Sequence, residues 1–146
     1  MENMNHPSLA HGISFVAIAT AGLIAFAIIL IPMIFYILTL QKALNRCAPE
    51  NQAMQPGMVW LLLIPCFGII WSFFVVINLA KSLGAEFQKR GLAEEPEPGK
   101  MLGLIMCGLM VAAMIPFIGG LFGLGGLVCW ILYWIKIAGY SAKLAS

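Results

Sequence analysis

The sequence predicts an all-α integral membrane protein, with four transmembrane helices bent by prolines, on three observations. Apolar residues make up 62% of the 146-residue chain and charged residues only 10%. The apolar residues fall in blocks: Ile13 to Leu40 runs 28 residues without a charge, where a hydrocarbon core of roughly 30 Å needs about 20. The chain contains no Asp, and all six Glu lie outside the apolar blocks. A soluble domain of this length needs far more charge to cover its surface, and the length supports one domain, residues 1–146.

The first helix is expected over about 13–40. The preceding Met1–Gly12 has no Lys or Arg, and the block exceeds the roughly 7–15 residues of a signal-peptide core, so it reads as a retained anchor. Pro32 should bend it by removing an intrahelical donor. Pro49-Glu50-Asn51 and Gln55-Pro56-Gly57 bracket a polar connector. The second helix is expected over 58–80, with Trp60 as an interfacial anchor and Pro65 inside it. It continues as an amphipathic extension over 81–90, where Leu79, Leu83 and Phe87 recur at i, i+4, i+8 and Glu86 pairs with Arg90 at i,i+4. Gly91 suits a helix stop. Leu92–Lys100 is an acidic, proline-rich linker.

The third and fourth helices, about 101–118 and 121–137, are separated only by Gly119-Gly120, which predicts a tight antiparallel hairpin. Gly103 and Cys107 lie four apart, as do Gly119 and Gly123. Small residues at that interval let helix backbones approach closely in lipid. They serve pairing of helices three and four or contact between copies of the chain. Trp130, Tyr133, Trp134 and Lys136 then describe a membrane interface. An Ile-Pro pair recurs in three blocks, at Ile31-Pro32, Ile64-Pro65 and Ile115-Pro116, and proline-bent helices are also a feature of transporters.

Chemistry is poorly represented. The four cysteines are scattered with no C-x-x-C pair, and His6 and His11 precede the first block, so no catalytic, cofactor-binding or metal-binding set is expected. A net charge of +2 gives no strong pull toward nucleic acid. The partners expected are the lipid bilayer and either a larger membrane protein complex or a homo-oligomer.

With four crossings, Lys81, Lys89, Arg90, Lys100, Lys136 and Lys143 share one side and Lys42 and Arg46 the other. The excess of Lys and Arg on cytoplasmic loops then places both termini inside. An alternative folds 58–80 as a re-entrant hairpin broken at Pro65, which gathers all eight basic residues on one side and leaves the N-terminus on the other. That arrangement needs non-helical backbone at membrane depth, tolerated only under cover of other protein.

The run Pro49-Glu50-Asn51-Gln52-Ala53-Met54-Gln55-Pro56-Gly57-Met58-Val59-Trp60-Leu61-Leu62-Leu63-Ile64-Pro65, followed by Phe67, Trp71, Ala80-Lys81-Ser82-Leu83 and Phe87, resembles a group of uncharacterised small bacterial membrane proteins. They share a Pro-Gly-x-Val-Trp-Leu-x-Leu-Ile-Pro pattern and a last helix ending like Tyr133-Trp134-Ile135-Lys136. The likeness covers roughly 38–90 and 115–143; at Gly68 many of the group carry Asn. It implies a bacterial inner membrane and a common architecture, and no activity. The function expected is a non-catalytic multi-pass membrane protein, an accessory or scaffolding subunit of a larger complex; the alternative is a small oligomeric transporter or channel.

Overall fold

Long apolar runs without internal charge become helices because a helix pairs its backbone N–H and C=O groups within one segment, as a lipid environment demands. The computed structural model describes residues 7–64, 66–92 and 94–146, with side chains from residue 11 onward. Among the described residues every regular element is helical: α1 (Pro7–Asn45), two 3₁₀ helices (Pro49–Asn51 and Pro56–Leu63), α2 (Phe67–Lys89), α3 (Lys100–Ala112) and α4 (Gly119–Lys143). Three of them, α1, α2 and α4, are long and apolar enough to cross a membrane.

α3 stops at Ala112 rather than at the expected 118, and it is not among the helices long enough to cross. Its 13 residues rise about 20 Å, short of a hydrocarbon core of roughly 30 Å. Residues 113–118 form the turn, and the Gly119-Gly120 pair opens α4 instead of linking the helices. Pro116 therefore sits exposed in a turn after α3 and kinks nothing. Pro32 lies inside α1. Pro65 falls outside the described residues.

The expected helix 58–80 is two elements. The second 3₁₀ helix ends at Leu63, Ile64 is extended (φ −76°, ψ 113°), and α2 begins at Phe67 after Cys66 at φ 65°. Extended backbone is what a residue before proline adopts.

The chain divides into two compact units, residues 1–35 and 36–146. In the first, α1 is apolar on every face: Ile13, Phe15, Ile18, Leu23, Phe26 and Ile29 are all exposed, the pattern of a helix solvated by lipid rather than water.

In the second unit the carboxyl ends of α1, α2 and α4 point the same way. Tyr36 packs on Trp130 with ring centroids 5.3 Å apart, the Trp134 indole N–H donates to Thr39 Oγ1 at 2.9 Å, and Phe87 meets Tyr140 edge-on at 5.6 Å. α3 runs against them. Gly103 admits this packing: a Cβ there would lie 2.5 Å from Val76 Cγ1 and 2.8 Å from Tyr133 Cε2. The Cys107 thiol donates to Ser72 Oγ at 3.2 Å.

The 48–63 segment folds back along α2. Its contacts fall in reverse order: Ala48 and Asn51 at Glu86, Ala53 at Ser82, Met58 at Trp71. At Gly68 a Cβ would stand 2.5 Å from the Leu62 carbonyl oxygen. The unit is thus two hairpins, connector–α2 and α3–α4, opening toward one end. The extension over 81–90 belongs to α2 up to Lys89, and Leu79, Leu83 and Phe87 on it are fully buried in protein.

Candidate functional site: the charged end of the bundle

Where α1, α2 and α4 end together, helix termini leave carbonyls unpaired, and this chain supplies two arginines to meet them. Arg46 Nη1 donates to Ser141 Oγ at 2.9 Å and to the Ser141 carbonyl, tying α1 to α4. Arg90 Nη1 donates to the Leu144 carbonyl at 2.9 Å and Nη2 to the Arg46 carbonyl at 3.3 Å. One guanidinium thus joins three helix ends, a use suited to its fixed fork of donors.

Glu86 is the centre of the cap. Its side chain is 4% exposed, and Oε1 accepts from Arg90 Nε at 2.8 Å. Oε2 accepts from the Ala48 backbone N–H and from Asn51 Nδ2, both at 2.8 Å. A buried carboxylate survives only when paired and hydrogen-bonded, and here three donors hold the start of the connector against α2. Gln52 Nε2 donates to the Leu44 and Cys47 carbonyls at 3.0 Å each. Ser82 Oγ accepts from Ala53 N and donates to the Asn78 carbonyl, 2.8 Å in each case. The Cys47 thiol lies beneath this layer; burial, reinforced by the Glu86 charge and opposed by Arg90, pushes it up to about 12.

The remaining carboxylates ring the same end: Glu50 with Lys89, Glu94 with Lys143, Glu97 with Lys100 at 2.6 Å and Glu95 with Lys136 at 3.6 Å. The Lys89 contact holds the exposed Glu50 carboxyl below its ordinary value. Every described Glu therefore sits in an ion pair with a Lys or Arg of this chain. No group of three or more His, Cys, Asp or Glu gathers as a metal site among the described residues.

The residues singled out from sequence are placed as follows. Gly103 and Cys107 are buried where α3 meets α2 and α4. Gly119 lies at the start of α4, where a Cβ would come 2.2 Å from the Ala113 carbonyl oxygen, and Gly123 faces the Ala113 methyl at 3.8 Å. Trp60 is exposed, its indole N–H donating to Gln41 Oε1 at 3.0 Å. Trp130 and Trp134 are half-buried against Tyr36, and Lys136 pairs with Glu95. Tyr133 is only 1% exposed, packed on Tyr36 and against Gly99 and Gly103; it belongs to the core, not to an interface. Sequence reasoning missed Arg46, Ser141, Asn51 and Ser82. Their one available signal was their position just beyond or at the ends of apolar blocks.

Comparison with protein-family models, curated proteins and solved structures finds no match to this chain.

Proposed function

We propose that the protein is a non-catalytic integral membrane protein, an accessory or scaffolding subunit of a larger membrane complex, anchored by α1. One observation carries this reading: each described carboxylate is engaged in an ion pair that builds the cap. The described carboxylates are taken up by the chain's own cations, which is architecture rather than catalysis. Intramembrane ion pathways instead present ionisable groups to a cavity. The resemblance of the 49–65 run to small bacterial membrane proteins supports a bacterial inner membrane.

The proposed topology follows the cap. Lys42, Arg46, Lys81, Lys89, Arg90, Lys100, Lys136 and Lys143 all stand at or within about three turns of it. The positive-inside tendency assigns that face to the cytoplasm, with the C-terminus there and the N-terminus across the membrane. This replaces the arrangement with both termini inside, which depended on 58–80 crossing as one helix.

Gentle extraction from the native membrane followed by mass spectrometry of what co-purifies is the test. A stoichiometric larger complex is the expected result. A pure homo-oligomer or monomer would overturn the subunit reading and favour a small oligomeric transporter or channel, to be assayed by flux in liposomes.

A further inference from the structure

We propose that residues 36–146 act as a wedge inserted from one side of the bilayer and stopping short of the opposite headgroups, so that the protein concentrates in membrane that is convex on the side of the charged cap. The inference rests on the topology proposed above and adds to it a dependence on membrane shape.

Depth is fixed by the hydrogen bond between Cys107 and Ser72. Phe67, where α2 begins, precedes Ser72 by five residues, and Ala112, where α3 ends, follows Cys107 by five. Both hairpins therefore turn about 7–8 Å beyond that bond. In the other direction Lys81 lies nine residues from Ser72 and Lys100 seven from Cys107. From first cation to helix end each hairpin is then about 18–21 Å deep, against a hydrocarbon core of roughly 30 Å. In α4 Lys136 lies 17 residues beyond Gly119, a rise of about 25 Å, still less than that core.

The hairpin tips have no use for water. Ile64, Phe67 and Ile70 project from one; Met114, Phe117, Ile118 and Leu121 project from the other. From Leu109 to Val128 there is no polar side chain. The second tip pairs part of its own backbone: Ala113 N to Leu109 O at 2.9 Å, Met114 N to Val111 O and Ile115 N to Ala112 O at 3.1 Å, Gly119 N to Ile115 O at 2.9 Å. Pro116 has no N–H to satisfy. Each backbone group paired internally lowers the cost of placing a turn in hydrocarbon. On the first hairpin the connector is covered by α2, whose Trp71, Ser82 and Glu86 take up its backbone groups.

At the opposite end the cap cannot enter hydrocarbon. The cap and the turns next to it hold eight Lys and Arg against the five described Glu, and Lys42 and Lys81 are exposed without an ion pair to a described residue. That surplus fits the anionic headgroups of one leaflet. Near the cap the unit carries five chain segments, the end of α1, the connector, α2, α3 and α4; past the tips it carries none. This unit therefore expands the leaflet on the cap side more than the other, and insertion weighted to one side of a bilayer is sensitive to curvature.

The test uses the full chain with Gln88→Cys, reconstituted into giant vesicles of phosphatidylethanolamine and phosphatidylglycerol. A membrane-impermeant dye added outside marks cap-outward copies, and dye enclosed during formation marks cap-inward copies. Narrow tubes are then pulled outward. Expected is a severalfold higher dye-to-lipid ratio in the tube than in the vesicle for cap-outward copies, rising as the tube narrows, and depletion for cap-inward copies. Equal density for both orientations overturns the wedge. Labelling Asn45→Cys in the same vesicles separates the two ideas. If Asn45→Cys and Gln88→Cys react from the same side while tubes show no sorting, only the wedge fails. If they react from opposite sides, the topology fails and takes the wedge with it.

Discussion

A methyl group on Gly84 would lie 2.0 Å from the Pro96 carbonyl oxygen, so the acidic linker is pressed onto α2 at a point where only hydrogen fits. Backbone cannot move aside as a side-chain tip can. Gly84→Ala should therefore lower stability by about 1–3 kcal/mol, read as a fall in thermal midpoint in lipid nanodiscs. Gly108 has nothing within 4 Å of an added Cβ. Gly108→Ala should leave the midpoint unchanged or raise it, by up to about 1 kcal/mol of helix propensity. Equal effects would mean the linker is not seated on α2. Glu86→Ala strands three donors at the cap and should cost about 2–3 kcal/mol, the part-exposed Arg90 limiting the loss. Tyr133 marks the limit of reading single residues from sequence. Its neighbours Trp130 and Trp134 made it resemble a membrane-interface aromatic, yet it points into the core. There it packs on Tyr36, 97 residues earlier in the chain, and against Gly103 of α3, and no local spacing encodes those partners.

Among the elements, the three Ile-Pro pairs show what sequence could and could not deliver. Each lies in an apolar block. Pro32 stays within α1, Ile64 is extended at a break between helices, and Pro116 falls in a turn. Proline weakens a helix at each site alike; the outcome depends on whether neighbouring segments reward a reversal. At Ile64 the reward is the connector lying along α2, which uses Ser82, Glu86 and Trp71. The existence of helices and the glycine-lined approach of α3 were legible because composition and spacing suffice for them. The reversal was legible only as an alternative, through the charge asymmetry it would create. The connector makes a chemical prediction. Cys47 is 3% exposed under it, with its thiol pushed up to about 12. The thiolate is the reactive form, so raising pH from 7 to 9 should not produce labelling of Cys47 by maleimide, as followed by mass spectrometry. Labelling should appear once detergent denaturation lifts the connector away. Rapid labelling of Cys47 in the native protein at pH 7 would show that the connector does not cover it.

For the molecule as a whole, the decisive quantity is on which side each chain end lies. Arg90 bonds the carbonyls of both Arg46 and Leu144, so the end of α1, the end of α2 and the end of α4 share one face of the protein. Four regular crossings would instead separate Asn45 from Gln88 by the full bilayer and expose Phe117 to water on the side of Asn45. Single-cysteine substitutions distinguish the two in sealed vesicles treated with an impermeant maleimide, with the native cysteines setting the baseline. Asn45→Cys and Gln88→Cys, both at exposed positions, should label from the same side, and Gly12→Cys from the other. Phe117→Cys, fully exposed on a turn that also exposes Met114, Ile115 and Ile118, should label from neither side until the bilayer is dissolved. Lipid, not protein, is then what shields it. Labelling of Phe117→Cys from the face opposite Gln88→Cys would instead mean that the α3–α4 turn reaches water, and the short α3 would have to thin the bilayer to get there.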